Sequence, residues 1–156
     1  GKIAEGFFRN TPELGIDFRR NVVILNKTPV HTPRTADLAE LCRRGGPEIA
    51  DLVAASQRIM AALLLEFHRA LAPAPVWITG YSEMRRGGIF AAYTESLARI
   101  YSGKGKAALR ESIFLYRHFS MNQFTINLRQ EIRPGEKIRD ALLRIGRTHR
   151  ERILGW

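Results

Sequence analysis

Residues 47–71 read Pro-Glu-Ile-Ala-Asp-Leu-Val-Ala-Ala-Ser-Gln-Arg-Ile-Met-Ala-Ala-Leu-Leu-Leu-Glu-Phe-His-Arg-Ala-Leu. Ile49, Leu52, Val53, Ile59, Leu63, Phe67 and Leu71 recur at the three- and four-residue spacing of one helical face. Leu64 and Leu65 widen that face, and only Glu48, Asp51, Arg58 and Arg69 leave a narrow stripe for water. The pattern predicts a central core helix packed on several sides.

Upstream, Gly46-Pro47 starts this helix, because proline suits a first helical turn. Thr35 is the N-cap of a shorter helix that ends at Gly45, with Asp37 in its first turn and Leu38, Leu41 and Cys42 on one face. Pro29 and Pro33 mark residues 26–34 as an ordered loop. The β-branched run Val22-Val23-Ile24, inside Asn21–Leu25, predicts a short strand. Residues 3–9, with Ile3, Ala4, Phe7 and Phe8, form an amphipathic helix that Asn10-Thr11-Pro12 breaks.

Downstream, Ala72-Pro73-Ala74-Pro75 stops the long helix, and residues 76–79 read as a second short strand or a buried turn. Arg85-Arg86-Gly87-Gly88 opens a helix that carries Ile89, Tyr93, Leu97, Ile100 and Tyr101, with Glu95 and Arg99 spaced as an ion pair. Lys104-Gly105-Lys106 turns the chain into a further helix, with Leu109, Ile113, Tyr116 and Phe119 inward, so that the two make an antiparallel hairpin. Residues 121–132 satisfy both the helical and the strand period, and helical neighbours favour helix. After the turn Arg133-Pro134-Gly135, a last helix runs from about Glu136 to Leu154, with Ile138, Leu142, Ile145, His149 and Ile153 on one face. The expected fold is mainly α, a compact bundle of five to seven helices with at most one short β pair. It is one helical domain over residues 1–156, complete or excised from a longer chain.

Composition narrows the class. Hydrophobic residues make up 45% and charged residues 26% of the 156, which excludes a disordered chain. No apolar run reaches the roughly 18–20 residues of a membrane span. The one cysteine, Cys42, excludes an internal disulfide or a cysteine-based zinc site. It reads as a buried thiol in a reducing, cytoplasmic setting.

The net charge is +10 and uneven. Residues 1–78 carry 10 basic and 8 acidic side chains, residues 79–156 carry 15 and 7. Arginine outnumbers lysine 20 to 5, and its planar fork suits phosphate. An anionic partner, nucleic acid first, is expected at the C-terminal half.

Three features carry the chemistry. The tetrad Arg-Arg-Gly-Gly occurs at 43–46 and again at 85–88, each time before a helix start, where exposed N–H groups favour anions. Arg85 and Arg86 are the expected phosphate contacts, joined by Lys104 and Lys106. The terminal helix adds Arg139 and Arg150, while Asp140 is spaced to pair with Arg144 and Glu151 with Arg147. The third feature is the stretch Arg144-Ile-Gly-Arg-Thr-His149. It resembles the arginine-to-histidine motif of HEPN ribonucleases, in which four to six residues separate the two. The resemblance implies a dimer-interface site that cleaves RNA without metal, with Arg144 stabilising phosphate and His149 in acid–base work. Ile145 departs from the polar residue usual after the motif's arginine.

His31, His68 and His118 lack the spacing of a helical metal site, and no cofactor is specified. Aromatics interleave with the basic half and read mainly as core. The leading expectation is a basic helical nucleic-acid-binding or regulatory domain. The alternatives are a small HEPN-like ribonuclease and a ligand-sensing or protein-interaction bundle. The apolar end Ile153-Leu154-Gly155-Trp156 suggests docking on another chain, as in a homo-oligomer, or continuation into a longer protein.

Overall fold

The computed structural model describes residues 1–103 and 105–156. It is mainly α, with α1 at Lys2–Arg9, α2 at Phe18–Asn21, α3 at Thr35–Ala70, α4 at Ala91–Tyr101, α5 at Ala107–Glu111, α6 at Gln123–Glu131 and α7 at Ile138–Leu154. Two strands, β1 at Val76–Thr79 and β2 at Ile113–Tyr116, pair in parallel with Val76 opposite Ile113 and Thr79 opposite Tyr116. Parallel pairing requires a crossover, which α4 and α5 supply.

The molecule is built around β2. All four of its residues are buried, and alternation sends them to two cores. Ile113 and Leu115 join the core of Ala61, Leu64, Leu65, Tyr93, Leu97 and Tyr101. Phe114 and Tyr116 join Phe7, Phe8, Phe124, Leu128, Leu142 and Ile145 on the other side. The expected helix over 106–119 is therefore corrected: it stops at Glu111, and Ile113–Tyr116 is a strand covered on both faces. Such strands are continuously apolar, so periodicity alone does not separate them from buried helix. The expected helical hairpin is replaced by this crossover.

The long helix forms where expected, in two segments joined at a kink where Gly46 has φ 72°. Its position is not the expected one. Val53, Gln57, Ala61, Leu64, Leu65 and His68 face the core, but Leu52 and Ile59 are 62% and 66% exposed. Gln57 and His68, polar in the sequence, take the buried face because both find hydrogen-bond partners there. Residues 22–25 form neither helix nor strand, which overturns the expected strand, and Val23 and Ile24 are exposed. Residues 123–131 are helical, as expected.

The C-terminal segment docks on its own core. Leu154 is buried, and Trp156 packs 5.9 Å from Tyr101, ring to ring. Among the described residues, no helix is long and apolar enough to cross a membrane.

Candidate functional site: an arginine-lined cleft

The loop between β1 and α4 is tied down at several points. Gln57 of α3 donates to Ile89 O at 2.7 Å and accepts from Tyr93 N at 3.1 Å, so both its amide atoms pin the start of α4. Thr94 Oγ1 donates to Met84 O at 2.8 Å. Phe90 N donates to Glu83 O at 3.0 Å, folding the loop back on itself. Gly88 is required by that fold, because a Cβ there would stand 2.4 Å from Glu83 O. The glycine lets the loop approach its own carbonyl.

This scaffold sets Arg85 and Arg86 in the lining of a cleft of about 630 Å³, together with Met84, Ala91 and Ile153 as apolar residues and Glu95 as an acidic one. Arg152, from the last turn of α7, lines the same cleft. Its guanidinium lies 5.3 Å from the centre of the Tyr81 ring and donates to Tyr81 Oη at 3.0 Å. Among the described residues, no carboxylate lies within ion-pair distance of these three arginines. The other Arg-Arg-Gly-Gly copy differs. Arg43 and Arg44 both pair with Glu40, at 2.6 and 2.5 Å.

The remaining expected phosphate contacts disperse. Lys106 Nζ donates to Ile100 O near the end of α4. Arg150 is 2% exposed and donates to Trp156 O, Arg110 O and the Glu111 carboxylate, which leaves no fork for an external anion. Arg139 is exposed but starts α7, about 20 Å from Arg152 at 1.5 Å per residue. Lys104 lies outside the described residues. Arg152, the third arginine of the cleft, carries no mark in sequence that distinguishes it from its neighbours on α7.

Arg144 and His149 are brought to two sides of one residue, Glu131. Arg144 grips Glu136 through two bonds of 2.9 and 2.7 Å and donates to Glu131 O at 2.8 Å. His149 is 2% exposed, with Nδ1 3.1 Å from Leu115 O and Nε2 3.4 Å from the Glu131 carboxylate. Asn127 donates to that carboxylate at 2.6 Å. Burial pushes the His149 pKa down, and the opposing pull of Glu131 and Leu115 O does not restore it. Arg144 thus ties α7 to the end of α6 and to Glu136, and His149, buried, ties α7 to α6 and β2. The expected Asp140–Arg144, Glu151–Arg147 and Glu95–Arg99 pairs are absent among the described residues; Arg144 takes Glu136, and Arg147 lies 4.0 Å from Glu111.

A serine–histidine contact escapes sequence reading because its members are far apart. His68 Nδ1 is 2.9 Å from Tyr101 Oη and Nε2 is 2.9 Å from Ser112 Oγ. Ser112 spends its own proton on Leu109 O at 2.9 Å. It must then accept from His68 Nε2–H, which leaves Nδ1 to accept from Tyr101. Every donor is matched, so the chain of bonds satisfies buried polar atoms and does not activate the hydroxyl. Burial raises the Tyr101 pKa to about 12.

Lys27 reaches in from the N-terminal loop. Its Nζ donates to Thr79 O at the carboxyl end of β1 and lies 5.2 Å from the Phe90 ring centre. Burial lowers its pKa to about 8. No group of three or more histidine, cysteine or carboxylate side chains among the described residues is arranged to hold a metal ion.

Comparison with protein-family models, with curated proteins and with solved structures finds no match to this chain.

Proposed function

We propose that the chain is a nucleic-acid-binding domain, and that Arg85, Arg86 and Arg152 grip the phosphate backbone at their cleft. The observation that supports this reading is that three arginines, none of them ion-paired among the described residues, line one concave surface, against a single carboxylate, Glu95. In the N-terminal half most arginines are neutralised: Arg19, Arg20, Arg34, Arg43, Arg44 and Arg69 each sit against an acidic side chain. The excess charge is thereby concentrated on the C-terminal half, where counterions released by a bound backbone would drive association.

The test is anisotropy titration of labelled single- and double-stranded oligonucleotides at several salt concentrations. Replacing both Arg85 and Arg86 by alanine should weaken binding and flatten the log–log salt slope by about 1.4 for a single strand. The Arg43→Ala/Arg44→Ala protein is the control, because Glu40 already occupies those forks. Equal behaviour of the two double variants, or an unchanged slope in the first, would remove the cleft from the reading.

A further inference from the structure

The arginine cleft does not stand alone. A second opening of about 440 Å³ adjoins it, between the two segments of α3 and the start of α4. Ala91 and Glu95 line both spaces. Each volume falls within the roughly 300–1,000 Å³ of small-molecule pockets. The second space is walled by Ala50, Val53, Ala54, Gly88 and Ile89. These side chains make an open, largely apolar slot on which a planar ring can lie, whereas the first space offers cations.

Glu95 stands at the junction. It is exposed, and no basic group among the described residues lies within ion-pair distance of it, although Arg99 follows one turn later. A carboxylate here weakens phosphate binding by repulsion, so a basic surface gains nothing from it unless it reads something. An ionised carboxylate only accepts hydrogen bonds. Among the four common bases, guanine alone places two N–H donors, N1–H and N2–H, side by side on its Watson–Crick edge. Uracil offers one N–H between two carbonyl oxygens. Cytosine and adenine set an amino donor beside a bare ring nitrogen that would repel the second carboxylate oxygen.

We infer that the two joined spaces hold one unpaired guanine nucleotide of a single strand. Its phosphate sits on Arg85, Arg86 and Arg152, its ring in the apolar slot, and its N1–H and N2–H on Glu95. The inference rests on the nucleic-acid reading above and adds the base and the strandedness. Only an unpaired base has that edge available, which fits the general rule that sequence-specific readers of RNA target unstacked bases.

The test compares a labelled oligouridylate, the same strand with central guanosines, and one with inosines, which lack the 2-amino group. The guanosine strand should bind about tenfold more tightly than oligouridylate, as a bidentate base contact predicts. Inosine should lose most of that gain, and annealing a complementary strand should erase it. Glu95→Gln should collapse the preference while leaving or improving oligouridylate affinity. A Glu95→Gln protein that binds every strand more tightly by one common factor would mean that Glu95 only repels phosphate, and would overturn the inference. Equal binding of the three strands, or a preference that survives in the duplex, would overturn it as well and leave the nucleic-acid reading standing. Absence of salt-dependent binding to any strand would remove both.

Discussion

Gly146 of α7 and Tyr116 of β2 are in contact so close that a Cβ on Gly146 would stand 2.6 Å from the Tyr116 hydroxyl oxygen and 2.7 Å from Phe114 Cβ. The same hydroxyl donates to Leu142 O, one turn earlier on α7, at 2.9 Å. The side chains of Phe114 and Tyr116 therefore pack directly on the backbone of α7. Gly146→Ala should destabilise the fold by about 1–3 kcal/mol, the usual cost of overpacking. Urea unfolding measures it, and a stability equal to wild type would show that α7 can slide away from β2 at no cost.

Arg150 and Arg139 are indistinguishable by residue type and lie on the same helix, yet one is 2% exposed and the other is exposed. Arg150→Ala strips bonds from two backbone carbonyls and from Glu111. It should cost at least about 2 kcal/mol, because buried acceptors lose their partners. Arg139→Ala should fall within about 0.5 kcal/mol of wild type. Thermal unfolding of the pair is the check; similar losses in both would contradict the placement of Arg150.

Glu136 couples stability to acid. Its bonds from Arg144 and from Arg133 N hold the carboxyl near a pKa of about 2, against an ordinary 4.5. A carboxylate depressed in the folded state stabilises above the ordinary value, and that contribution is lost as pH falls from 4.5 toward about 2. Glu136→Gln should lower stability at neutral pH and show a shallower loss through that acid window. An identical acid profile in the variant would rule out Glu136 as a contributor.

Lys27 acts at the other end of the scale, with the opposite sign. Its pKa is about 8 in the folded protein against an ordinary 10.5. Between these values the unfolded chain binds the extra proton, so stability should rise with pH across that window. Lys27→Met should remove the rise, read as the wild-type minus variant difference in urea midpoint from pH 8 to 10. A difference that stays flat would mean that the amine remains as solvated folded as unfolded.

Trp156 carries the one buried side-chain nitrogen among the described residues without a hydrogen-bond partner. Its ring contacts matter more than its N–H: it lies against Tyr101, with the Arg110 and Arg150 guanidiniums at 5.9 and 5.8 Å from its centre. Trp156→Phe keeps an aromatic surface and removes the unpaired donor, so it should cost less than Trp156→Ala by at least about 1 kcal/mol. Equal losses in thermal unfolding would place the stabilisation outside the ring.

Two helix boundaries were legible because their causes are local. Gly46-Pro47 breaks α3 where proline and a left-handed glycine demand it, and Arg133-Pro134-Gly135 separates α6 from α7. Ile113–Tyr116 was illegible for a physical reason. Four consecutive apolar residues satisfy the helical and the strand pattern equally, and only cover on both faces selects the strand. The long apolar helix misled in the same way, since its composition suggested burial all round while Leu52 and Ile59 face outward. In the site, Arg85 and Arg86 could be singled out because glycines and a helix start follow them. Arg152 could not.

The sequence by itself determined the mainly helical class, the breaks at Gly46-Pro47 and Arg133-Pro134-Gly135, the absence of an internal disulfide and the concentration of positive charge in the second half. These follow from backbone sterics and from counting, which need no partner. Only the tertiary structure decided which cations are spent and which converge. Lys27 meets Thr79 across 52 positions, Arg150 meets Glu111 across 39 and Arg152 meets Tyr81 across 71. Electrostatics and hydrogen bonding depend on distance through space, and α3, α4 and α7 set those distances by packing around a two-stranded sheet whose second strand no local pattern announced.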